Sequence, residues 1–521
     1  MKLNFKDIDK PTFIATFVIL LAICIPLMIN PVKGSIILNK ANEFTINNFG
    51  VFYIWVAFAS VIFLAIIAFS SYGDIFLGDQ GEKPRFSDIS WASMLFCAGI
   101  GASVMYWGSI EWAYYYQAPP FGIAPKSVEA AEWAAAYGIF HWGITAWAIY
   151  IVPALPIAYL YYVRKKPILK ISEACRPVLG DKVDGILGTV IDVLFMFGLI
   201  GGAGTTLGLG TPMIASGIEK ITGITRNLTM DLIVLFICTV IFAISAYSGL
   251  DKGIKWLSNL NLGLLGILLL FVLIFGSTLF ILKMGTNSIG IILDNVVRMN
   301  TYTDPVGQSG FPENWTVFYW AWWIVYAPFI GLFVAKISKG RTIKQMILGS
   351  VLYGTAGCAL VFIILGNYTM YLEINNIVPI IDILNEQGAP AAIMAMLGSL
   401  PFPKFITFIF TLTALIFLAT TFDSSSYSLA AVTQKRVVKD PERWNRLFWA
   451  FSLAILPVAL MLVGGLKPLQ TASILVALPL ILVMIIMSIS FVKMVKADRE
   501  KNKSMQSNVK RLEKKVHKNV G

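Results

Sequence analysis

Charge is the first thing this sequence is short of. Asp, Glu, Lys and Arg make up 13% of the 521 residues, against 57% hydrophobic, and a soluble chain of this length cannot cover its surface with so little. Histidine is nearly absent, with only His141 and His517. The five cysteines (Cys24, Cys97, Cys175, Cys238 and Cys358) show no paired spacing, which excludes a disulfide framework or cysteine metal site and leaves them as small apolar residues. No HExxH, CxxC pair, GxSxG or GxxxxGK[ST] occurs, so an ATP-driven pump and a membrane hydrolase both lack their chemistry. The chain reads as a non-enzyme that needs no cofactor. Its net charge of +12 is not arranged for nucleic acid.

What the sequence has instead is apolar runs, and they fill almost its whole length. Twelve helical spans are expected, at about 11–31, 50–72, 89–116, 132–163, 188–217, 229–248, 256–282, 315–336, 345–372, 404–430, 446–465 and 468–492. The first has no small-residue cleavage site, so it does not read as a signal peptide. Of 41 Lys and Arg, 32 fall on the side shared by the two termini. The positive-inside rule puts that side, and both termini, in the cytoplasm of a multi-pass cell-membrane protein, with the basic residues facing anionic lipid.

Two spans are interrupted by glycine or proline: "FCAGIGASVMYWGS" (96–109) and the aromatic span ending in Pro328 and Gly331. In lipid such breaks must line a cavity or be satisfied by neighbours. They lie five spans apart, at the first helix of two five-helix units, and an odd number of helices inverts the second unit. Paired breaks in inverted repeats mark a transporter's binding site. The expected architecture is an all-α polytopic fold. It comprises an N-terminus (1–10), two extra helices (11–87), a first repeat (88–283), an amphipathic linker helix and loop (284–314), a second repeat (315–496) and a basic tail (497–521).

Nine of fourteen tryptophans crowd into 107–147 and 315–323, whereas an interface belt would spread them over all span ends. On a helix, Trp315, Tyr319, Trp322, Trp323 and Tyr326 share an arc of about 100°, and Trp142, Trp147 and Tyr150 one of about 140°. Trp320 points about 60° away from the first arc. Clustered ring faces attract a cation that cannot donate hydrogen bonds, and quaternary ammonium is the usual ligand.

The stretches "FHWGITAWAIY" (140–150), "WTVFYWAWW" (315–323) and "KISKGRT" (336–342) resemble the betaine/carnitine/choline transporter family. The resemblance implies twelve helices with two inverted repeats, a mid-membrane substrate cage and a homotrimer. It assigns the cage to Trp142, Trp147, Tyr150, Trp322, Trp323 and Tyr326, with Tyr114 matching a cage tyrosine of the carnitine exchangers and Trp315 an outer, secondary position. It assigns a sodium site to the Thr420 and Thr421 hydroxyls and the carbonyls of Cys97, Ile100 and Phe417. Against that, the hydroxyls could simply cap their own helix. A second family sodium site needs two threonines where Leu199 and Ala203 align, although its aromatic member, Phe329, is present. Ser103 replaces the third glycine of the sodium-coupled break. Asn261 stands where the exchangers carry a fixed arginine.

Three acids lie in the interior of spans, away from their ends. Glu111 could face the cavity or pair structurally; Asp192 and Asp423 read as packing or hydrogen-bonding groups, and His141 as a structural histidine. The reading is a secondary transporter of a trimethylammonium solute such as glycine betaine, carnitine or choline, by sodium symport. A sodium-independent exchanger is the alternative within the class. A betaine sensor, the alternative outside it, is disfavoured by the short tail.

Overall fold

Backbone groups in lipid must be satisfied within the chain, so long apolar runs fold as helices. The computed structural model describes residues 7–79, 81–166, 168–248, 255–435, 437, 440–463 and 466–520. Lys252, Arg436 and Lys439 of the charge count, residues 1–6 and Gly521 lie outside them.

The chain opens with α1 (Lys10–Ile29) and α2 (Pro31–Phe69). α2 begins well before the expected span at 50, because Pro31 starts it and the Asn30 side chain accepts from the Lys33 amide at 3.0 Å. The first repeat starts with α3 (Asp88–Ile100) and α4 (Ser103–Gln117). They are separated at Gly101, whose φ of +61° suits only glycine. α5 (Val128–His141), α6 (Ile144–Ile151) and α7 (Ala154–Ala158) form one span broken twice. The short α8 (Ile171–Leu179) leads to α9 (Ile186–Thr222), α10 (Leu228–Ser248) and α11 (Lys255–Phe275).

The linker differs from expectation. The seventh span stops at Phe275 rather than 282, and all of Thr278–Thr301 forms one helix, α12. Gly276 lies against Tyr368, where a Cβ would come within 2.8 Å of the ring, so the turn is fixed by close approach.

The second repeat holds α13 (Phe318–Ile337), α14 (Ile343–Val361) and α15 (Asn367–Ile374). Short α16 (Ile380–Gln387) and α17 (Ala389–Gly398) follow. Then come α18 (Pro403–Val432), α19 (Arg443–Ser452), α20 (Ile455–Val463) and α21 (Leu466–Val520). The tail is therefore a helical continuation of the last span. "KISKGRT" lies away from the aromatic site: Gly340 donates to Leu77 O and Leu77 to Arg341 O, both at 2.8 Å, pinning the loop before α3.

Among the described residues, twelve helical stretches are long and apolar enough to cross a membrane. They include α12, which is mostly exposed, and omit α3 and α4, each too short alone. Joining α3 with α4 as one broken span, and taking α12 as the linker, restores the twelve spans the sequence indicates.

Packing is preserved when the two units are exchanged. α9 and α18 pack on each other; α9 also packs on α20 and α21 as α18 packs on α10 and α11. α13 packs on α6 and α9, and its counterpart α3 on α14 and α18. These are inverted five-helix repeats, with α1 and α2 outside the exchange. α13 runs through the centre, buried from Phe318 to Ile337.

The crossing of α13 over the α6–α7 break depends on Gly331, where a Cβ would lie 2.8 Å from Ala154 N and Pro153 Cβ. Gly331→Ala is expected to destabilise the fold by about 1–3 kcal/mol through overpacking, read as earlier thermal unfolding in detergent. Gly263→Ala, with nothing within 4 Å, should cause no loss.

Candidate substrate and ion site

The rings meet because α5 is broken. Trp142 and Gly143 leave helical geometry, Trp142 at φ −106° and ψ 5° and Gly143 at φ −95° and ψ −143°. Helical arithmetic across 142–150 therefore fails, and the break turns Trp142 toward α13. Trp142 lies edge-to-face with Trp323 (centroids 4.9 Å, 79°) and with Trp322 (5.9 Å, 84°). Tyr150 stands at 85° to Trp323 (5.4 Å) and Trp147 at 88° to Tyr150 (5.7 Å). Perpendicular walls of this kind are what a boxed cation needs. All five side chains are buried. Trp147 is seated against Gly354, where a Cβ would fall 2.0 Å from its ring.

The remaining assigned residues sit differently. Tyr326 packs on Phe329 at 5.9 Å, and its hydroxyl lies 3.0 Å from Thr206 Oγ1, which in turn accepts from Ser103 Oγ at 3.3 Å. The serine that replaces the third glycine thus ties α4 to α9 and α13. Leu199 and Ala203 are buried without hydroxyls, while Thr205 and Thr206 lie just beyond them on α9. Tyr114 packs in a neighbouring ring group with Trp315 (5.3 Å) and Trp107 (6.1 Å), which joins the box through Tyr319. Trp315 lies in the wide turn Pro312–Val317 that precedes α13. Trp320 faces Phe140 (5.5 Å) and His141 (5.7 Å) instead.

Glu111 binds the two ring groups together. Its Oε2 accepts from Tyr319 OH at 2.5 Å and Trp142 Nε1 at 3.0 Å, and its Oε1 from Tyr115 OH at 2.5 Å. His141 Nδ1 lies 2.9 Å from the Tyr115 oxygen, and Nε2 lies 3.1 Å from Thr316 Oγ1. With the Tyr115 proton given to Glu111, Nδ1 donates to that oxygen and Nε2 accepts from Thr316, leaving the imidazole neutral. Trp323 Nε1 donates to His141 O at 2.9 Å. Of the two readings open for Glu111, the geometry is that of structural pairing. The sequence offered only one hint of this: a lone intramembrane acid surrounded by tyrosines and tryptophans whose O–H and N–H groups need acceptors. Asp192 accepts from Ser172 N (2.9 Å) and Oγ (2.7 Å), and Asp423 from Ser245 Oγ.

The candidate ion ligands fall where α3 meets α18. Thr421 Oγ1 donates to Cys97 O at 3.2 Å, and the same hydroxyl is what a Cβ at Gly101 would strike at 2.6 Å. Thr420 Oγ1 turns back into its own helix, donating to Ile416 O (3.1 Å) and Phe417 O (3.0 Å). Ile100, the fifth, is the last residue of α3 before the break and is buried. Four of the five thus form two close pairs of hard oxygens. Among the described residues no group of three or more His, Cys, Asp or Glu could hold a metal.

A twelve-span bundle of inverted repeats, broken at its centre around buried rings, is the frame of a membrane transporter. Residues 11–500 match the model of the betaine/carnitine/choline family transporters. The carnitine transporter of Acinetobacter baumannii is 38% identical over 442 residues, 84% of this chain and 80% of that protein. The uncharacterized transporter YeaV of Escherichia coli K12 is 36% identical over 445 residues, 85% of this chain and 92% of that one. A solved structure of a Na+-coupled sialic acid symporter, substrate-bound and outward-open, aligns over 85% of this chain and 82% of its own, with a TM-score of 0.41 and 11% identity; that likeness is too remote to bear on the site. The chain belongs to the betaine/carnitine/choline transporter family.

Two variants test the geometry. Trp323→Ala removes a wall of the box and is expected to cost on the order of 1–2 kcal/mol of quaternary-ammonium binding, tenfold or more in affinity. Trp320→Ala should cost much less, and equal losses in a tryptophan-fluorescence titration would show that the wrong face is assigned. Glu111→Ala orphans three buried donors, at about 1–3 kcal/mol each. Thermal unfolding well below that of Glu111→Gln is the expected result.

Proposed function

We propose that this protein is a secondary active transporter of a trimethylammonium solute, glycine betaine or carnitine with choline and γ-butyrobetaine in the same class, driven by sodium symport. The observation that carries the reading is the standing of Trp142 and Tyr150 edge-on to Trp323, on which Trp322 stacks at 5.4 Å and 9°. Each ring contributes roughly 0.5–2 kcal/mol to a bound cation, so several rings give binding that is useful yet reversible. The carnitine transporter relative supports the same substrate class. The break at Gly101 leaves the start of α4 free to meet a substrate carboxylate with the positive end of its helix dipole. Alternating access then presents one site to each side in turn. With an even number of spans and the basic excess on the terminal side, both termini belong in the cytoplasm of the cell membrane. The family resemblance supports a homotrimer.

For coupling, sodium between the Thr421 hydroxyl, the Cys97 and Ile100 carbonyls and the Thr420–Phe417 pair would hold α3 to α18 and favour the binding state. By linkage, sodium tightens substrate and substrate tightens sodium by the same factor. The exchanger reading draws on one observation, the Thr420 hydroxyl turned into its own helix.

In proteoliposomes, uptake of labelled betaine or carnitine is expected to be faster in sodium than in potassium at constant pH, with a Hill coefficient for sodium near one. Thr420→Ala combined with Thr421→Ala should abolish the dependence and leave substrate-induced quenching of the cage tryptophans in place. Equal uptake by the unmutated protein in both salts would replace symport with exchange.

A further inference from the structure

α11, the seventh span, packs against both α3 and α18, the two helices whose junction holds the candidate ion ligands. After Lys255 at its start it carries no charged residue. Its buried polar side chains are Ser258 and Asn261, three residues apart and therefore on one face of the helix. Both residues meet α3 at Cys97. The Cys97 thiol donates to Ser258 O at 3.6 Å, and Asn261 Nδ2 donates to the same sulfur at 3.9 Å. The Cys97 carbonyl accepts from Thr421 Oγ1 at 3.2 Å. One residue of α3 is thus tied to α11 through its sulfur and to α18 through its carbonyl.

Two oxygens at this contact are left over. Ser258 Oγ and Asn261 Oδ1 are buried and have no hydrogen-bond partner among the described residues. A buried oxygen without a donor is costly, and the amide oxygen can only accept. What serves both at once is a positive charge with no fixed direction. Thr420 adds to the case: its hydroxyl is turned to Ile416 O and Phe417 O, so Thr421 is the one hydroxyl of that pair bonded to α3. We propose that Ser258 Oγ and Asn261 Oδ1 are ligands of the coupling cation, making α11 a third wall of the site beside α3 and α18. The inference rests on the sodium reading above and extends it to residues outside the assigned set. Both groups are hard oxygens, and both are neutral, which suits a monovalent ion and not one that calls for several carboxylates.

Thermal unfolding of the purified full chain in detergent, without substrate, reads this site apart from transport. Sodium chloride is titrated against potassium chloride at constant ionic strength, and the unmutated protein should unfold later as sodium rises. Asn261→Leu removes the amide oxygen at similar volume and should raise the half-saturating sodium concentration about tenfold. Ser258→Ala should raise it about threefold. Neither variant should unfold earlier than the unmutated protein in potassium, because each removes a buried oxygen that lacks a donor. Asn261→Asp keeps the oxygen and adds negative charge, so it should lower the half-saturating concentration instead. A sodium response left unchanged by both Asn261→Leu and Ser258→Ala would overturn the inference and assign the two oxygens to buried water. Loss of that response in Thr421→Ala would then show that the sodium reading itself stands. Equal stabilisation of the unmutated protein by sodium and potassium would overturn the sodium reading and this inference with it.

Discussion

A carboxylate far from water needs its oxygens occupied by donors, since no solvent can serve them. Glu111 meets that demand with the Tyr115 and Tyr319 hydroxyls and the Trp142 indole. Those donors come from three different spans, so the requirement of one side chain fixes how α4, the α5–α6 break and α13 stand to one another. The orientation of Trp142 follows from it, and through Trp142 the positions of Trp322 and Trp323. Hydrogen bonds hold three of the rings, Trp142 to Glu111, Trp323 to His141 O and Tyr150 to Gly99 O.

Interrupted helices make this arrangement possible. A continuous helix through 140–150 would carry Trp142 in line with its neighbours; the break at Trp142–Gly143 lets it cross toward α13. At Gly101 the left-handed backbone ends α3, whose Cys97 carbonyl accepts from the hydroxyl of Thr421 on α18. The Ser103–Thr206–Tyr326 chain closes the other side of the same break. The candidate substrate box meets α3 through the Tyr150 hydroxyl, which donates to Gly99 O at 2.9 Å, and the candidate ion site meets the same helix at Cys97, the kind of connection that coupling between two ligands requires.

The exchange symmetry of the packing gives this wall its counterpart. α3 and α13 occupy equivalent places in the two repeats, each packed on the second and third spans of the opposite unit. The two differ in how they are broken. α13 stays helical through Pro328, and its irregularity is moved to the wide turn at Pro312–Val317. The break at Gly101 in the first unit thus has a continuous helix as its counterpart in the second.

The sequence by itself determined the membrane class, the twelve spans, the two units and the crowding of tryptophans, because hydropathy and composition act locally and need no partner. The family resemblance pointed to Thr420 and Thr421 as partners of α3, and of the two it is Thr421 whose hydroxyl reaches it. The sequence did not determine where α2 begins or that α12 absorbs the end of the seventh span, since a proline, an asparagine cap and a close approach to Tyr368 set those limits. The family resemblance matched Tyr114 to a cage tyrosine, and in the fold its ring packs on Trp315 and Trp107. Only the tertiary structure decided the role of Glu111 and the direction of the Thr420 hydroxyl. Both depend on which donors and acceptors from distant spans arrive within hydrogen-bond reach, and no periodicity along one chain segment carries that information.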